Sequence, residues 1–499
     1  MSVPRSLILV TVDCLRADHV GFMGYTNPTT PFLDSLAPNS IVFDHAIAAG
    51  APTYYSFPAI MASRHPLDMG RDVIGLAPSD EPTIATTLNQ IGYATAAFVA
   101  GNPYITKSHG YAEGFDVFQD YLDGISDNNA SGNGNLRDAQ EKDNGWTRSR
   151  INRLLRRASG KLGLSSVYDE LHFRYSLKLA EHTPQSFDQL RRFPSSDVIV
   201  SHAAEWLQQR EDNPFFLWLH LMDPHGPYYP PQAALDLMGQ REMSPTRARY
   251  LNSYWNRAGM TVQRYASFRE EILSLYDSGI RWADQQLANL AKILQSLGLW
   301  DECVFALTAD HGEEFLEHGG RLHAPKVNEE LVHVPLLLHV PAITARRIRT
   351  PFSLLNLAPT LLDCLQAPLP AEFNGHSYWQ KLRSGQDWDD GAIVECIAGC
   401  SNPSRKKDRQ GARLLAVREG HYKLILNFTD GSDQLFDLQA DPAELNPLPH
   451  DVEKPVRRRL LERACKHIGR PSDSRAIKPQ LILSLRNLML ESGERARRH

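Results

Sequence analysis

The sequence predicts an α/β fold, with a mixed, mostly parallel central sheet sandwiched by helices and a smaller antiparallel β unit toward the carboxyl end. Three observations carry this. Ser6-Leu-Ile-Leu-Val-Thr-Val-Asp13 and Val304-Phe-Ala-Leu-Thr-Ala-Asp-His-Gly-Glu-Glu314 open with apolar runs that lack polar alternation, the pattern of strands buried on both faces. Residues 198–210, 268–297 and 353–365 have helical periodicity and suit layers that cover such a sheet. Beyond about residue 388 the texture changes to short strands at 392–397, 413–417, 421–428 and 434–438, with Asp430-Gly431 as a hairpin turn. The predicted division is a main α/β unit at 1–387 with a mobile or helical insertion at 121–200, an antiparallel unit at 388–450, and a helical tail of unassigned role at 451–499.

Composition bounds the function. A chain of 499 residues with 42% hydrophobic content can bury a large core. The net charge of −5, with both signs interspersed, gives no electrostatic case for nucleic acid as the main partner. Six cysteines, at 14, 303, 364, 396, 400 and 465, are too sparse for a disulfide framework. The apolar run from Leu7 to Val12 is too short for a signal peptide and leads straight into Asp13, and no run approaches a membrane span. A cytoplasmic protein is the expectation, and its oligomeric state is not legible.

Taken in order, the first predicted strand ends on Asp13, at the sheet edge where α/β proteins bind ligands. Residues 30–36 predict a short helix with Pro31 just inside its start. The stretch from Gly50 to Ile60 presents hydroxyls at Thr53 and Ser56, and a hydroxyl needs activation, which a metal can supply, to become a nucleophile. Residues 121–145 are rich in Asp, Asn, Gly and Ser and predict a loop. Residues 146–161 set five arginines around Ile151, Leu154 and Leu155, a basic amphipathic helix that suits an anionic polymer, a membrane surface or plain solvent. Asp310 and His311 end the later strand. Asp-His-Gly is also ordinary turn chemistry, but two carboxylates delivered by two strand ends can converge on one divalent ion.

Seven segments carry a family resemblance when taken together and in order. They are Val12-Asp-Cys-Leu-Arg-Ala-Asp18, Thr30-Pro-Phe-Leu-Asp-Ser-Leu-Ala37, His220-Leu-Met-Asp-Pro-His-Gly-Pro-Tyr228, Thr308-Ala-Asp-His-Gly-Glu313, Asn328-Glu-Glu-Leu-Val-His-Val-Pro335, Leu357-Ala-Pro-Thr-Leu-Leu362 and Leu435-Phe-Asp-Leu-Gln-Ala-Asp-Pro-Ala-Glu444. From about residue 5 to about 446 the chain resembles the sulfatase family of the alkaline phosphatase superfamily, which implies an alkaline-phosphatase-like fold.

The departures from that pattern shape the expected chemistry. The family converts a Cys or Ser in Cys/Ser-x-Pro-x-Arg to formylglycine. Ungapped alignment puts Thr53 at that position, with the motif's Pro and Arg absent, and threonine cannot give the aldehyde. Shifting the register by three gives Ser56-x-Pro58 but leaves Ile60 in place of Arg and conflicts with the spacing to Arg64 and Pro66. Cys14 replaces the second Asp of the opening pair; it is read as a small buried hydrophobe, with a soft zinc ligand as the alternative.

Asp13, Thr53, Asp310 and His311 remain as a ligand set resembling the single-metal site of the lipoteichoic acid synthase branch, where threonine is the nucleophile. That implies one divalent ion, Mn2+ or Zn2+ before Ca2+ or Mg2+. The resemblance also implies that His225 contacts the transferred group or protonates the leaving oxygen, and that His323 and Lys326 bring positive charge to the ester. Asn102 stands where many sulfatases have a substrate-binding Lys, and with Ser56 and Arg64 it completes the candidate substrate contacts. The expected function is metal-dependent hydrolysis or transfer of a sulfate or phosphate ester on a sugar, lipid or glycan, with Thr53 favouring phosphoryl transfer. The alternatives are a sulfuric ester hydrolase using Ser56 and a catalytically silent binding protein.

Overall fold

The computed structural model describes residues 5–65, 67, 81–122, 186–258, 260–388, 390–400, 402–403, 405, 407–408 and 411–468. The basic stretch 146–161, most of the predicted insertion and the tail from 469 onward lie outside the described residues. In chain order the strands are β1 Ser6–Val12, β2 Ile41–Ile47, β3 Ala94–Val99, β4 Val117–Gln119, β5 Phe215–Leu221, β6 Cys303–Ala309, β7 Glu314–Phe315, β8 Arg321–Leu322, β9 His333–His339, β10 Arg346–Ile348, β11 Phe352–Ser353, β12 Ala392–Ile397, β13 Arg413–Glu419, β14 Tyr422–Asn427 and β15 Ser432–Asp437. The main sheet has the order β10-β2-β9-β6-β1-β5-β3-β4, with β11 beside β2. Strand β9 is antiparallel to β2 and β6, and the other pairs are parallel.

Every residue of β1, β5 and β6 is buried, as expected of parallel strands covered on both faces. Two groups of helices supply the cover. Ser196–Gln209 packs on Arg269–Ser296 in one group, and Thr53–Ala62, Ile84–Gln90 and Leu357–Cys364 pack together in the other. The helix predicted over 198–210 forms over Ser196–Gln209 and packs on β3 and β5. The predicted helix 353–365 starts later, at Leu357, because Phe352–Ser353 pair with β2. A start at Leu357 keeps Pro359 in the first turn, where its missing N–H leaves no bond unmade. No helix among the described residues is long and apolar enough to cross a membrane.

Register fixes the site. Val12 stands opposite Leu221 on one side and Ala309 on the other, so Asp13 and Asp310 leave the sheet together at its carboxyl edge. The second sheet, β12-β13-β14-β15, is antiparallel throughout. Leu415, Val417, Leu424, Leu426 and Leu435 bury one of its faces against Val456, Leu460, Leu461 and Ala464 of the helix Lys454–Ile468. Val394, Cys396 and Ala416 pack instead with Ala51, Tyr54 and Tyr55, around the start of the helix that carries Thr53.

Candidate metal and nucleophile site

Three fully buried side chains, Asp13, Asp310 and His311, face one another at the ends of β1 and β6, with donor atoms all within 4.8 Å. The chain turns sharply after Asp13 because Cys14 takes a left-handed conformation, φ 61°, and the Cys14 N–H donates to Asp310 Oδ1 at 3.4 Å. After His311 the loop closes on its neighbour, with Gly312 N–H donating to the Leu331 carbonyl and Glu313 N–H to the Glu330 carbonyl. Only glycine fits at 312, since a Cβ there would overlap the Glu330 carbonyl oxygen.

His311 donates from Nδ1 to the Gly312 carbonyl at 2.8 Å, so its Nε2 lone pair faces the cluster. That nitrogen lies 3.2 Å from Thr53 Oγ1, 3.4 Å from Asp310 Oδ2 and 3.7 Å from Asp13 Oδ1. Burial holds the imidazole below its ordinary pKa and therefore neutral. Thr53 is the first residue of the helix Thr53–Ala62, so its hydroxyl projects from the helix end into the cluster.

The donor set fits a divalent ion. Asp310 Oδ2 is buried and has no hydrogen-bond partner among the described residues. Two buried carboxylates beside a neutral imidazole are costly unless a cation lies among them. Without one, burial and the Asp13 charge push the Asp310 carboxyl up. Burial opposes the charge on Asp13 too, but His225, His220 and His311 outweigh it and hold that carboxyl well below the usual range.

A supporting layer lies behind Asp13. Asn102 Nδ2 donates to Asp13 Oδ2 at 2.8 Å, and its Oδ1 accepts the Tyr104 N–H at 3.0 Å, which fixes the amide's orientation. Asn102 is buried and points at the candidate metal ligand. His220, also buried, has Nε2 3.3 Å from Asp13 Oδ2 and Nδ1 3.0 Å from Thr11 Oγ1. Sequence reasoning passed over His220; its signal was a lone imidazole near the end of an apolar strand.

Beside the cluster, His225 bonds the Gly226 carbonyl through Nδ1 at 2.6 Å, and burial brings its pKa down to about 4. The His225 and His323 rings lie 4.8 Å apart. Burial would lower His323 as well, but Glu313, 3.3 Å from its Nδ1, pushes it up to about 9. Glu313 is a second buried residue that sequence reasoning missed, although it adjoins Asp-His-Gly. Cys14 is more than a small hydrophobe, since its Sγ lies 3.0 Å from Asp13 Oδ1 and 3.4 Å from His323 Nδ1.

The remaining candidates have other partners. Lys326 Nζ donates to buried Glu314 at 2.6 Å, across the β7–β8 hairpin. Ser56 Oγ donates to the Thr53 carbonyl at 3.1 Å, an ordinary back-bond within the helix. Arg64 pairs with Glu81 at 3.8 Å and follows the far end of the ten-residue helix, whose length is about 15 Å at 1.5 Å per residue.

Comparison with known proteins bears on the family and the fold. The family description "Sulfatase" matches residues 5–367, and "N-sulphoglucosamine sulphohydrolase, C-terminal" matches 324–468. Arylsulfatase K of Xenopus laevis is 24% identical over 286 residues, covering 52% of this chain and 53% of that protein. The chain thus spans about half the length of the arylsulfatase K relatives it matches. The multifunctional alkaline phosphatase superfamily protein PehA of Trinickia caryophylli is 23% identical over 493 residues, covering 90% and 91%. The phosphonate monoester hydrolase of Agrobacterium radiobacter shares the fold, with a TM-score of 0.63 at 18% identity over 95% of this chain and 96% of that one. With a family match over residues 5–367 and the sheet-edge cluster in place, the chain belongs to the sulfatase family.

Proposed function

We propose that this chain is a metal-assisted hydrolase of anionic esters, with Thr53 as a covalent nucleophile and phosphorus esters preferred over sulfate esters. The observation that carries the reading is Thr53 Oγ1, 3.2 Å from His311 Nε2, at the mouth of the Asp13–Asp310–His311 cluster. Asp13, Asp310 and His311 would hold the ion, with Thr53 beside it. When bound, the ion supplies positive charge that offsets the buried acids and favours an ionised oxygen. Two carboxylates, a hydroxyl and one imidazole suit Mn2+ or Zn2+ better than Ca2+ or Mg2+.

In the first step Thr53 Oγ bonds to phosphorus as the ester P–O bond breaks. His225, fixed through Nδ1, contacts the transferred group, the Thr53 proton passes to solvent water, and His323, kept protonated by Glu313, gives one to the leaving oxygen. In the second step water bonds to phosphorus and the Oγ–P bond breaks. His323 regains a proton from that water, and Thr53 recovers its own from solvent. The preference for phosphorus follows from the nucleophile. An aldehyde hydrate carries a second hydroxyl that can expel sulfate from the same carbon, a route closed to threonine, whereas a phosphothreonine is cleared by water attack at phosphorus. The Ser56 reading has less support, because that hydroxyl is spent on the Thr53 carbonyl.

A panel of chromogenic phosphate monoester, phosphate diester, phosphonate and sulfate esters, each with Mn2+, Zn2+, Ca2+ and Mg2+, tests the proposal. The expected result is kcat/KM at least about 10-fold higher on a phosphorus ester, lost on chelation. A preference for the sulfate ester, or turnover that survives complete metal removal, would overturn it. Silence on every ester with every ion would favour the binding-protein alternative.

A further inference from the structure

Away from this cluster, a second group of ligand-type side chains converges from three separate segments. His65 follows the helix Thr53–Ala62, Glu395 lies on β12, and His467 lies in the last turn of the helix Lys454–Ile468. All three are buried, and their donor atoms lie within 4.8 Å of one another. His467 Nε2 is 2.8 Å from Glu395 Oε1, and the His65 and His467 rings meet edge to face with centroids 4.5 Å apart. Glu395 Oε2 is buried and accepts no hydrogen bond among the described residues.

We propose that His65, Glu395 and His467 form a second divalent-cation site, of zinc type, that clasps the carboxyl-terminal sheet and helix to the helix bearing Thr53. An imidazolium–carboxylate pair alone would satisfy Glu395 Oε1 but leave Oε2 buried without a partner, a costly state for a carboxylate. A cation among the three side chains removes that cost. Two imidazole nitrogens and one carboxylate oxygen are a donor set typical of Zn2+ rather than of Ca2+ or Mg2+. Three protein ligands leave one tetrahedral position for water or a further donor.

The location gives the ion a mechanical role. The Glu395 N–H donates to the Ala49 carbonyl at 2.8 Å, and a Cβ on Gly50 would lie 2.5 Å from the Glu395 carbonyl oxygen. Strand β12 is therefore pressed against the loop that leads into Thr53, while His65 follows the other end of the same helix. An ion shared by Glu395, His65 and His467 would fix the helix at both ends.

The test uses full-length protein stripped with chelator and titrated with Zn2+, then with Co2+ for its absorption spectrum. Asp310→Asn isolates the second site from the first. That variant should still bind one Zn2+ per chain with a rise in Tm, and adding Glu395→Gln or His467→Gln should remove both the binding and the rise. Wild-type protein, which needs no altered residue at the clasp, should take up two equivalents and show two distinguishable Co2+ spectra. A single equivalent in the wild type that survives Glu395→Gln would overturn the proposal. So would zinc binding in Asp310→Asn that survives replacement of both Glu395 and His467.

Discussion

Replacing Thr53 and Ser56 in turn separates the two possible nucleophiles. Thr53→Ala removes the hydroxyl that lies 3.2 Å from His311 Nε2, and with it the proposed covalent step. The helix loses no cap, since Pro52 makes no capping bond, so the fold should lose only about 1 kcal/mol. Turnover, by contrast, should fall by at least about 1000-fold. Ser56→Ala deletes one back-bond, worth about 1 kcal/mol, and gains helix propensity, worth about 0.5 kcal/mol. If half of the remainder reached the transition state, kcat would change less than about 3-fold. Thr53→Ser should keep part of the rate, because a primary alcohol still attacks. The assay is kcat on the best ester of the panel, at saturating metal with occupancy measured, since Thr53→Ala can also weaken ion binding. A fully loaded Thr53→Ala enzyme with near-normal turnover would rule out Thr53 as the nucleophile. An inactive Ser56→Ala beside an active Thr53→Ala would transfer the role to Ser56.

Three further perturbations probe the support of the site. Asn102→Ala should weaken metal binding about 10- to 100-fold, measured by chelator competition, because it removes the 2.8 Å bond that orients Asp13. Unchanged metal affinity with a raised KM would make Asn102 a substrate contact instead. Gly312→Ala should cost about 2–4 kcal/mol in urea unfolding, since the added methyl overlaps the rigid Glu330 carbonyl; a cost below about 0.5 kcal/mol would mean that the loop yields. His318 is raised to about 9, first by its 2.8 Å hydrogen bond to Glu330. Its folded pKa exceeds the unfolded value of about 6.5, so its contribution is complete below that pH and is lost as pH rises through about 9. The stability gap between wild type and His318→Gln should be on the order of 1 kcal/mol near pH 6, after discounting for solvent screening, and should shrink by about pH 10. A gap independent of pH would assign it to packing.

The sheet edge was legible because its strands are continuous apolar runs that stop on an acid. The continuous apolar run Phe215–Leu221 forms β5, and the predicted end of the first run at Asp13 falls one residue past β1. Helix 268–297 was equally clear from its periodicity and forms over Arg269–Ser296. The orientation of β9 was not legible, because antiparallel pairing with β2 and β6 is a long-range choice that local pattern does not encode. His220 was missed for a related reason, since an imidazole flanked by Leu219 and Leu221 looks the same locally whether it supports a carboxylate or fills a core. The position of the Cys14 sulfur depends on a left-handed turn, and the partner of Lys326 depends on a hairpin that brings Glu314 twelve residues back toward it. Thr53, in contrast, stands out by ungapped alignment with the family motif it resembles, and the helix start sets its hydroxyl at the cluster.

In the proposed reaction Thr53 becomes covalently modified during turnover. Rapid acid quenching of the metal-loaded enzyme with a chromogenic phosphorus ester, followed by peptide mass spectrometry, tests it directly. One added phosphoryl or phosphonyl group is expected on the peptide spanning residues 53–64, located at Thr53 by fragmentation and absent from Thr53→Ala. A modified Ser56, a formylglycine at residue 56, or an unmodified peptide recovered while product is forming in a burst would contradict it.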